Sequence, residues 1–409
     1  MGPAREVCPI TCESSPLPGP TVPVPNGWSD YDQNILLNGL QTILTNIHGG
    51  MTSTAATLIA ATSEICNSRL TPPTRCPWWK PFRDQQKLFS TDFFGPWLRY
   101  NPEPEGKGPS YYIEPWDHLM NTKEGRKLNG FDEIFQEWFV TFLNLRGKWL
   151  NSIYSTTSLE EWMKYNGTAA HPFNISDFIV PAGGFKTFNQ FFLRQIKADR
   201  RPLNETAKIV SPCDGGAFYL HREDHNVTSH PEFTLPYKSN DTFHLGEALP
   251  GYGDAFIGGT LIDILLWFTD YHHFHAPVDG TIIHVGQYEG SYNYDFDDYD
   301  PNDPYAPIPE GDQVDWYNHL DKHKRVVIII RTDEMGLVAM IPIGFWGVGS
   351  ITIEVTTGQE LKKGDYIGHF GYGGSSILLA FEPGYNITFL EGITNATNPY
   401  LVQVRQGLD

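Results

Sequence analysis

Three short segments of this chain hold residue types that could carry out covalent chemistry. Ser211-Pro-Cys-Asp-Gly-Gly216 supplies a carboxylate, Asp214. Asp270-Tyr-His-His-Phe-His-Ala-Pro-Val-Asp-Gly280 supplies His272, His273 and His275. Phe370-Gly-Tyr-Gly-Gly-Ser-Ser376 supplies two adjacent serines behind two glycines. A serine hydroxyl is a weak nucleophile until a positioned histidine takes its proton, and an acid in turn orients the histidine. Ser375 lacks the Gly-x-Ser-x-Gly elbow of the α/β-hydrolases, because Ile377 stands where the last glycine would be. The Gly373-Gly374 pair does something different: it strips side-chain bulk from the preceding carbonyl and permits a strained backbone. Under those conditions a serine could attack its own upstream peptide bond. Each segment also has a plain reading: a Pro-x-Asp-Gly turn, packed histidines, and a hairpin or phosphate-cradling loop.

These segments need elements to hold them. Residues 1–30 are Pro-rich and read as a poorly ordered lead. A helical pattern follows from Tyr31 to Asn67, then a proline-rich loop to Pro81. The strongest helix is expected over Phe131–Leu145, where Phe131, Ile134, Phe135, Trp138, Phe139, Phe142 and Leu143 recur at helical spacing. Shorter helices are expected at Leu159–Tyr165 and Phe188–Ile196. Beyond Lys208, β-branched runs alternate with Gly, Pro and Asp, giving strands at Thr281–Val285, Val326–Arg331, Leu337–Ile343, Ile351–Val355 and Ile377–Phe381. The expected fold is α+β: a helical N-terminal part (31–184) followed by a β-rich catalytic part (185–409). The acidic run Asp295–Asp303 reads as a solvated insertion, since Asp300 and Ala306 stand where a calcium loop needs Gly and Glu.

Composition narrows the function classes. The 409 residues carry a formal charge of −19, which repels phosphate backbones, so nucleic acid is not an expected partner. No run reaches the roughly eighteen apolar residues of an integral membrane segment; Leu261–Phe268 is short and contains Asp263. The first residues have no apolar core of a signal peptide, which points to the cytoplasm. Seven Asn-x-Ser/Thr sequons, beginning at Asn166, Asn174, Asn204, Asn226, Asn240, Asn386 and Asn395, exceed the roughly three expected by chance and leave a secretory route open. Of Cys8, Cys12, Cys66, Cys76 and Cys213, the first four could pair as disulfides, though reduced thiols are the favoured reading, and the absence of CxxC or paired Cys/His spacing means no metal is expected.

Taken together, the three segments resemble the phosphatidylserine decarboxylase family, whose members carry Ser-Pro-x-Asp-Gly, Asp-Tyr-His-x-x-His-x-Pro and Gly-Ser-Thr or Gly-Ser-Ser in this order. Asn189-Gln-Phe-Phe-Leu-Arg194 followed by Arg201-Pro202, Gly344-Phe-Trp-Gly-Val-Gly-Ser-Ile351 and Phe381-Glu-Pro-Gly384 extend the resemblance over about 185–384. The N-terminal part, with Leu119-Met-Asn-Thr122 and Lys148-Trp149, resembles the extension of soluble fungal members, among them the tryptophan decarboxylase of psilocybin-producing mushrooms. The resemblance implies that Asp214 orients His275 and that His275 deprotonates Ser375. The chain would then cleave itself between Gly374 and Ser375 through an ester. Elimination and loss of ammonia would turn Ser375 into a pyruvoyl group, with residues 375–409 as a short partner chain. In turnover that group is the electron sink, in place of pyridoxal phosphate, and His272 is the acid that protonates the product carbon. The implied substrate is a free amino acid, an aromatic one of the tryptophan kind. Phosphatidylserine is the alternative. A serine hydrolase that never cleaves itself and a metal-binding β protein using His272, His273 and His275 remain as readings of the residues alone.

Overall fold

The computed structural model describes residues 34, 36–39, 60–61, 93–104, 111–120, 125, 133–219, 232–234, 242–290, 323–345, 350–385, 387–394 and 399–409. The Pro-rich lead, Cys8, Cys12, Cys66, Cys76, most of the 31–67 helical pattern and the acidic run 295–303 lie outside them.

Helices dominate the first part: α1 (Gly95–Leu98), α2 (Ile113–Met120), α3 (Glu133–Leu150), α4 (Leu159–Lys164) and α5 (Phe188–Phe192). The aromatic stripe of α3 is buried as its spacing predicts. Phe135, Trp138, Phe139, Phe142 and Leu143 pack against Phe93, Phe94, Trp97 and Trp116. Phe94 meets Trp138 edge-on at 4.8 Å and Phe142 at 5.1 Å, geometries that suit the ring quadrupoles. The helix runs five residues past the expected end, because Leu150 is buried too and joins a second cluster with Trp162, Phe188 and Phe191. Conversely, α5 stops at Phe192, where Leu193 leaves helical geometry.

The rest is an antiparallel sheet. Its strands, with those of two small sheets, are β1 (Gly215–Tyr219), β2 (Glu232–Thr234), β3 (Thr242–His244), β4 (Thr260–Leu266), β5 (His273–His275), β6 (Gly280–Tyr288), β7 (Lys324–Arg331), β8 (Leu337–Phe345), β9 (Ile351–Ile353), β10 (Glu360–Leu361), β11 (Tyr366–Phe370), β12 (Gly374–Phe381) and β13 (Tyr400–Val402). Eight form a large curled sheet in the order β10-β6-β7-β8-β12-β4-β1-β13, and β5-β11-β9 form a three-stranded sheet. The fold is therefore α+β, helices first and sheet after.

Both faces of the large sheet are buried, which explains why its central strands are apolar runs and not alternating ones. Val326, Ile328 and Ile330 of β7 and Ile377, Leu379 and Phe381 of β12 face a core shared with Phe274 of β5 and Phe370 of β11. Val327, Ile329, Leu378 and Ala380 face the opposite core, with Leu249 and Phe256. Each such Val, Ile, Leu or Phe side chain contributes about 1.5–3 kcal/mol by leaving water.

Candidate active site

The three chemical segments converge at one end of the large sheet. Strand β4 is the hinge of the arrangement. Ser375, near the start of β12, stands opposite Leu266 at its end. On the other side Gly216 of β1 stands opposite Leu265, which brings Asp214 to the same end. Strand β4 then runs directly into the 267–272 turn that carries His272. Gly215 must be glycine here: a Cβ would meet the Leu265 carbonyl oxygen at 2.4 Å. The expected Pro-x-Asp-Gly turn is thus the entry to a strand.

Ser375 is 1% exposed, and its Oγ has no hydrogen-bond partner among the described residues. It lies inside β12, which begins three residues before the expected Ile377. Strand alternation turns Ser375 to the face of Ile377 and Leu379, the face covered by β5. Just upstream, Gly373 has φ 151°, a conformation that side-chain-bearing residues rarely adopt.

His275 points its Nδ1 at the Gly364 carbonyl, 2.9 Å away. A carbonyl only accepts, so Nδ1 carries the proton and Nε2 keeps its lone pair. Burial pulls this histidine down to about 4, against the pull of the Gly364 carbonyl, so it is a neutral base at pH 7. Asp214 accepts from Arg201 Nε at 3.0 Å and Nη2 at 2.8 Å, and from the Val404 amide at 2.8 Å. Its charge reaches His275 across space, raising the histidine's proton affinity. The Arg201–Asp214 pair is nearly enclosed, with side chains 10% and 7% exposed. Arg201→Met would leave a buried carboxylate unpaired and should cost about 3–5 kcal/mol. Urea unfolding measures this, and a loss under about 1 kcal/mol contradicts it.

His272 is fully buried, and neither ring nitrogen has a well-formed hydrogen bond. Its ring lies 3.9 Å from that of Phe192, which packs on Tyr372, three residues before Ser375. Burial, followed by the nearby Arg194 charge, pushes its pKa well down. A neutral imidazole still has one N–H to donate. Arg194 fixes the turn before it, donating to the Thr269 carbonyl and, at 2.9 Å, to that of Asp270, while its guanidinium stacks over Phe178. From α3, buried Arg146 donates to the Leu98 carbonyl and lies over the Tyr372 ring, so the helical part reaches the serine-bearing segment.

His273 is turned to other work. Its Nε2 lies 3.0 Å from the Leu193 carbonyl and its Nδ1 3.2 Å from the Tyr366 hydroxyl. Cys213 is a buried free thiol. Among the described residues no group of three His, Cys, Asp or Glu side chains is placed to hold a metal ion. Arg201, Arg194 and Arg146 received no individual role from the sequence. The first two lie in the quoted motif, which is the signal that could have found them.

The buried groups make folding pH-dependent. Burial holds His273 at about 3, His275 and His369 at about 4, and His272 well below 6.5. Between pH 6.5 and 4 the unfolded chain binds protons at these four sites and the folded chain does not, so acidification destabilises. Asp263 and Asp270, raised by burial to about 7, act in the opposite sense over the same window. Four sites against two leave a net loss. The urea midpoint of the Ser375→Ala chain should fall from pH 6.5 to pH 4.5, and a rise contradicts this balance.

An α+β fold with a buried serine at the end of its central strands does not by itself name a family. Sequence comparison does: the phosphatidylserine decarboxylase family profile matches residues 188–406, more than half of the chain. The chain belongs to that family, whose named members are decarboxylases and hence carboxy-lyases. Phosphatidylserine decarboxylase proenzyme 3 of Schizosaccharomyces pombe is 30% identical over 60% of this chain and 24% of its own length. Decarboxylase iboD of Amanita muscaria is 30% identical over 69% of this chain and 78% of its own. The L-tryptophan decarboxylase of Psilocybe cubensis is 25% identical over 76% of each. This chain thus spans about a quarter of the first relative, and 36% of a rice phosphatidylserine decarboxylase proenzyme.

Among the described residues no helix is long and apolar enough to cross a membrane.

Proposed function

We propose that this chain is a self-processing, pyruvoyl-dependent decarboxylase of a free L-amino acid with an aromatic, tryptophan-like side chain. One observation carries the substrate class: the similarity to the Psilocybe protein runs through 76% of both chains and so takes in much of the helical part. The similarity to the fission-yeast phosphatidylserine decarboxylase stops at 60% of this chain. Phe192 lies beside His272 and packs with Phe188, Phe268 and Tyr372 in a buried aromatic cluster, the kind of surroundings that favours an aromatic substrate.

The residues present fit a prosthetic group made from Ser375. The serine Oγ and both His272 nitrogens are buried polar atoms without well-formed hydrogen bonds, a costly state that a role in chemistry would account for. In maturation, His275 Nε2 takes the Ser375 hydroxyl proton, and Oγ attacks the Gly374 carbonyl carbon. The carbon–nitrogen bond breaks, the proton passes to the freed amine, and an ester joins Gly374 to Oγ. Loss of the 375 α-proton and of the Gly374 carboxylate leaves a dehydroalanine. Water then displaces ammonia to give the ketone. That ketone supplies an electron sink when carbon dioxide departs. For turnover, Arg194 and Phe192 fix His272, which hands a proton to the substrate α-carbon. Asp214, paired with Arg201, holds its segment to β13 through Val404, and its negative charge favours the protonated state of His275.

Phosphatidylserine is the second reading, supported by the 30% identity to the fission-yeast proenzyme. Carbon dioxide release should be measured from tryptophan and other free amino acids, and from vesicles containing phosphatidylserine. Release from free aromatic amino acids is the expected result. Release from vesicles alone moves the conclusion to the lipid, and release from neither rejects both.

A further inference from the structure

A carboxyl group is out of place at position 263. Asp263 sits between Ile262 and Ile264 in β4, is fully buried, and stands opposite Phe218 of β1 and Leu378 of β12. Leu261, Leu378 and Ala380 make up the apolar face around it. An acid in such a setting is costly unless its oxygens are bonded. Oδ1 contacts the Ser376 hydroxyl and the Ile264 backbone adds a weaker favourable contact, while Oδ2 has no well-formed hydrogen bond among the described residues. The contact runs diagonally across the β4–β12 ladder, from residue 263 to a residue two positions from its direct opposite. Ser376 is the immediate neighbour of Ser375, and alternation places the two on opposite faces of the sheet.

We infer that Asp263 is a positioning residue for the chemistry at residue 375, acting through Ser376; the inference rests on Ser375 being the self-cleavage site. Before cleavage the buried Asp263–Ser376 contact fixes the rotation of β12 and hence the approach of Ser375 Oγ to the Gly374 carbonyl. After cleavage residue 375 is the first residue of a new chain. Chain ends fray unless tied down, and a reactive group there is only as well placed as its neighbour. The ladder to Leu266 and Gly344 holds the backbone, and Asp263 holds the next side chain. A contact serving only to set strand register would leave the rate of cleavage unchanged once the chain had folded.

The test uses the full chain made by cell-free translation, with cleavage followed over time for wild type, Asp263→Asn, Ser376→Ala, Ser376→Thr and the Asp263→Asn/Ser376→Ala double variant. Asp263→Asn and Ser376→Ala should each cleave about tenfold more slowly than wild type. The double variant should be no slower than the slower single, since both remove one interaction. Ser376→Thr, which keeps the hydroxyl, should return to within about threefold of wild type. In the cleaved fractions kcat should fall with KM unchanged. Ser376→Ala removes a single hydroxyl, so it decides the matter even where Asp263→Asn fails to fold. Single variants within twofold of wild type, or effects that multiply in the double variant, overturn the role of Asp263. A wild-type chain that stays intact overturns instead the self-processing reading.

Discussion

Ser375→Ala should yield one intact 46.2 kDa chain, folded like the wild type and without decarboxylase activity. The substitution removes one oxygen that has no hydrogen-bond partner among the described residues, so folding loses little. Chemistry loses everything that depends on that oxygen: the attack on Gly374, the ester, and the ketone that follows. A fall in carbon dioxide release of at least about 10³-fold is expected, larger than the loss of a single auxiliary group. Denaturing gels and a radiolabelled carboxyl assay read the two consequences separately. A variant that still cleaves, or an intact chain that still decarboxylates, contradicts the assignment of Ser375.

His272→Ala should separate what Ser375→Ala abolishes together. His272 lies against Phe192, which in turn packs on Tyr372, while the base assigned to cleavage is His275, held through Gly364. The variant should therefore mature into two chains and release carbon dioxide about 10²–10⁴-fold more slowly, the usual worth of a placed general acid. Gel and assay on the same sample check this. Failure of cleavage in His272→Ala, with the fold intact, would move His272 into maturation.

The chemistry was legible in the sequence because residue type limits it so tightly. Gly373-Gly374-Ser375 could be read as a site of self-attack from the glycines' lack of Cβ, while His272 and His275 stood out as a cluster whose separate roles came only from the family resemblance. Placement was less legible. The stretch Leu261–Phe268 reads as apolar and too short for a membrane, yet Thr260–Leu266 is the strand that joins Asp214, Ser375 and His272. Nothing local signals that, because a strand apolar on both faces has no period-two pattern to betray it. Gly215 and Gly216 look like turn residues and are strand residues, since the constraint on Gly215 comes from the Leu265 backbone some fifty positions away. The arginines were hidden for the same reason. Arg201 meets Asp214, Arg194 meets Thr269 and Asp270, and Arg146 meets Tyr372 only after the chain has folded. Helix α3 was the easier case, because its apolar pattern of five aromatic and two aliphatic residues is written within one short stretch, 131–143.

Intact-mass spectrometry of the purified protein tests the central claim most directly. Two chains are expected, divided between Gly374 and Ser375, with the shorter one beginning in a pyruvoyl group in place of serine and its amine. A single chain at the full 46.2 kDa mass, or a break at any other bond, would contradict the account.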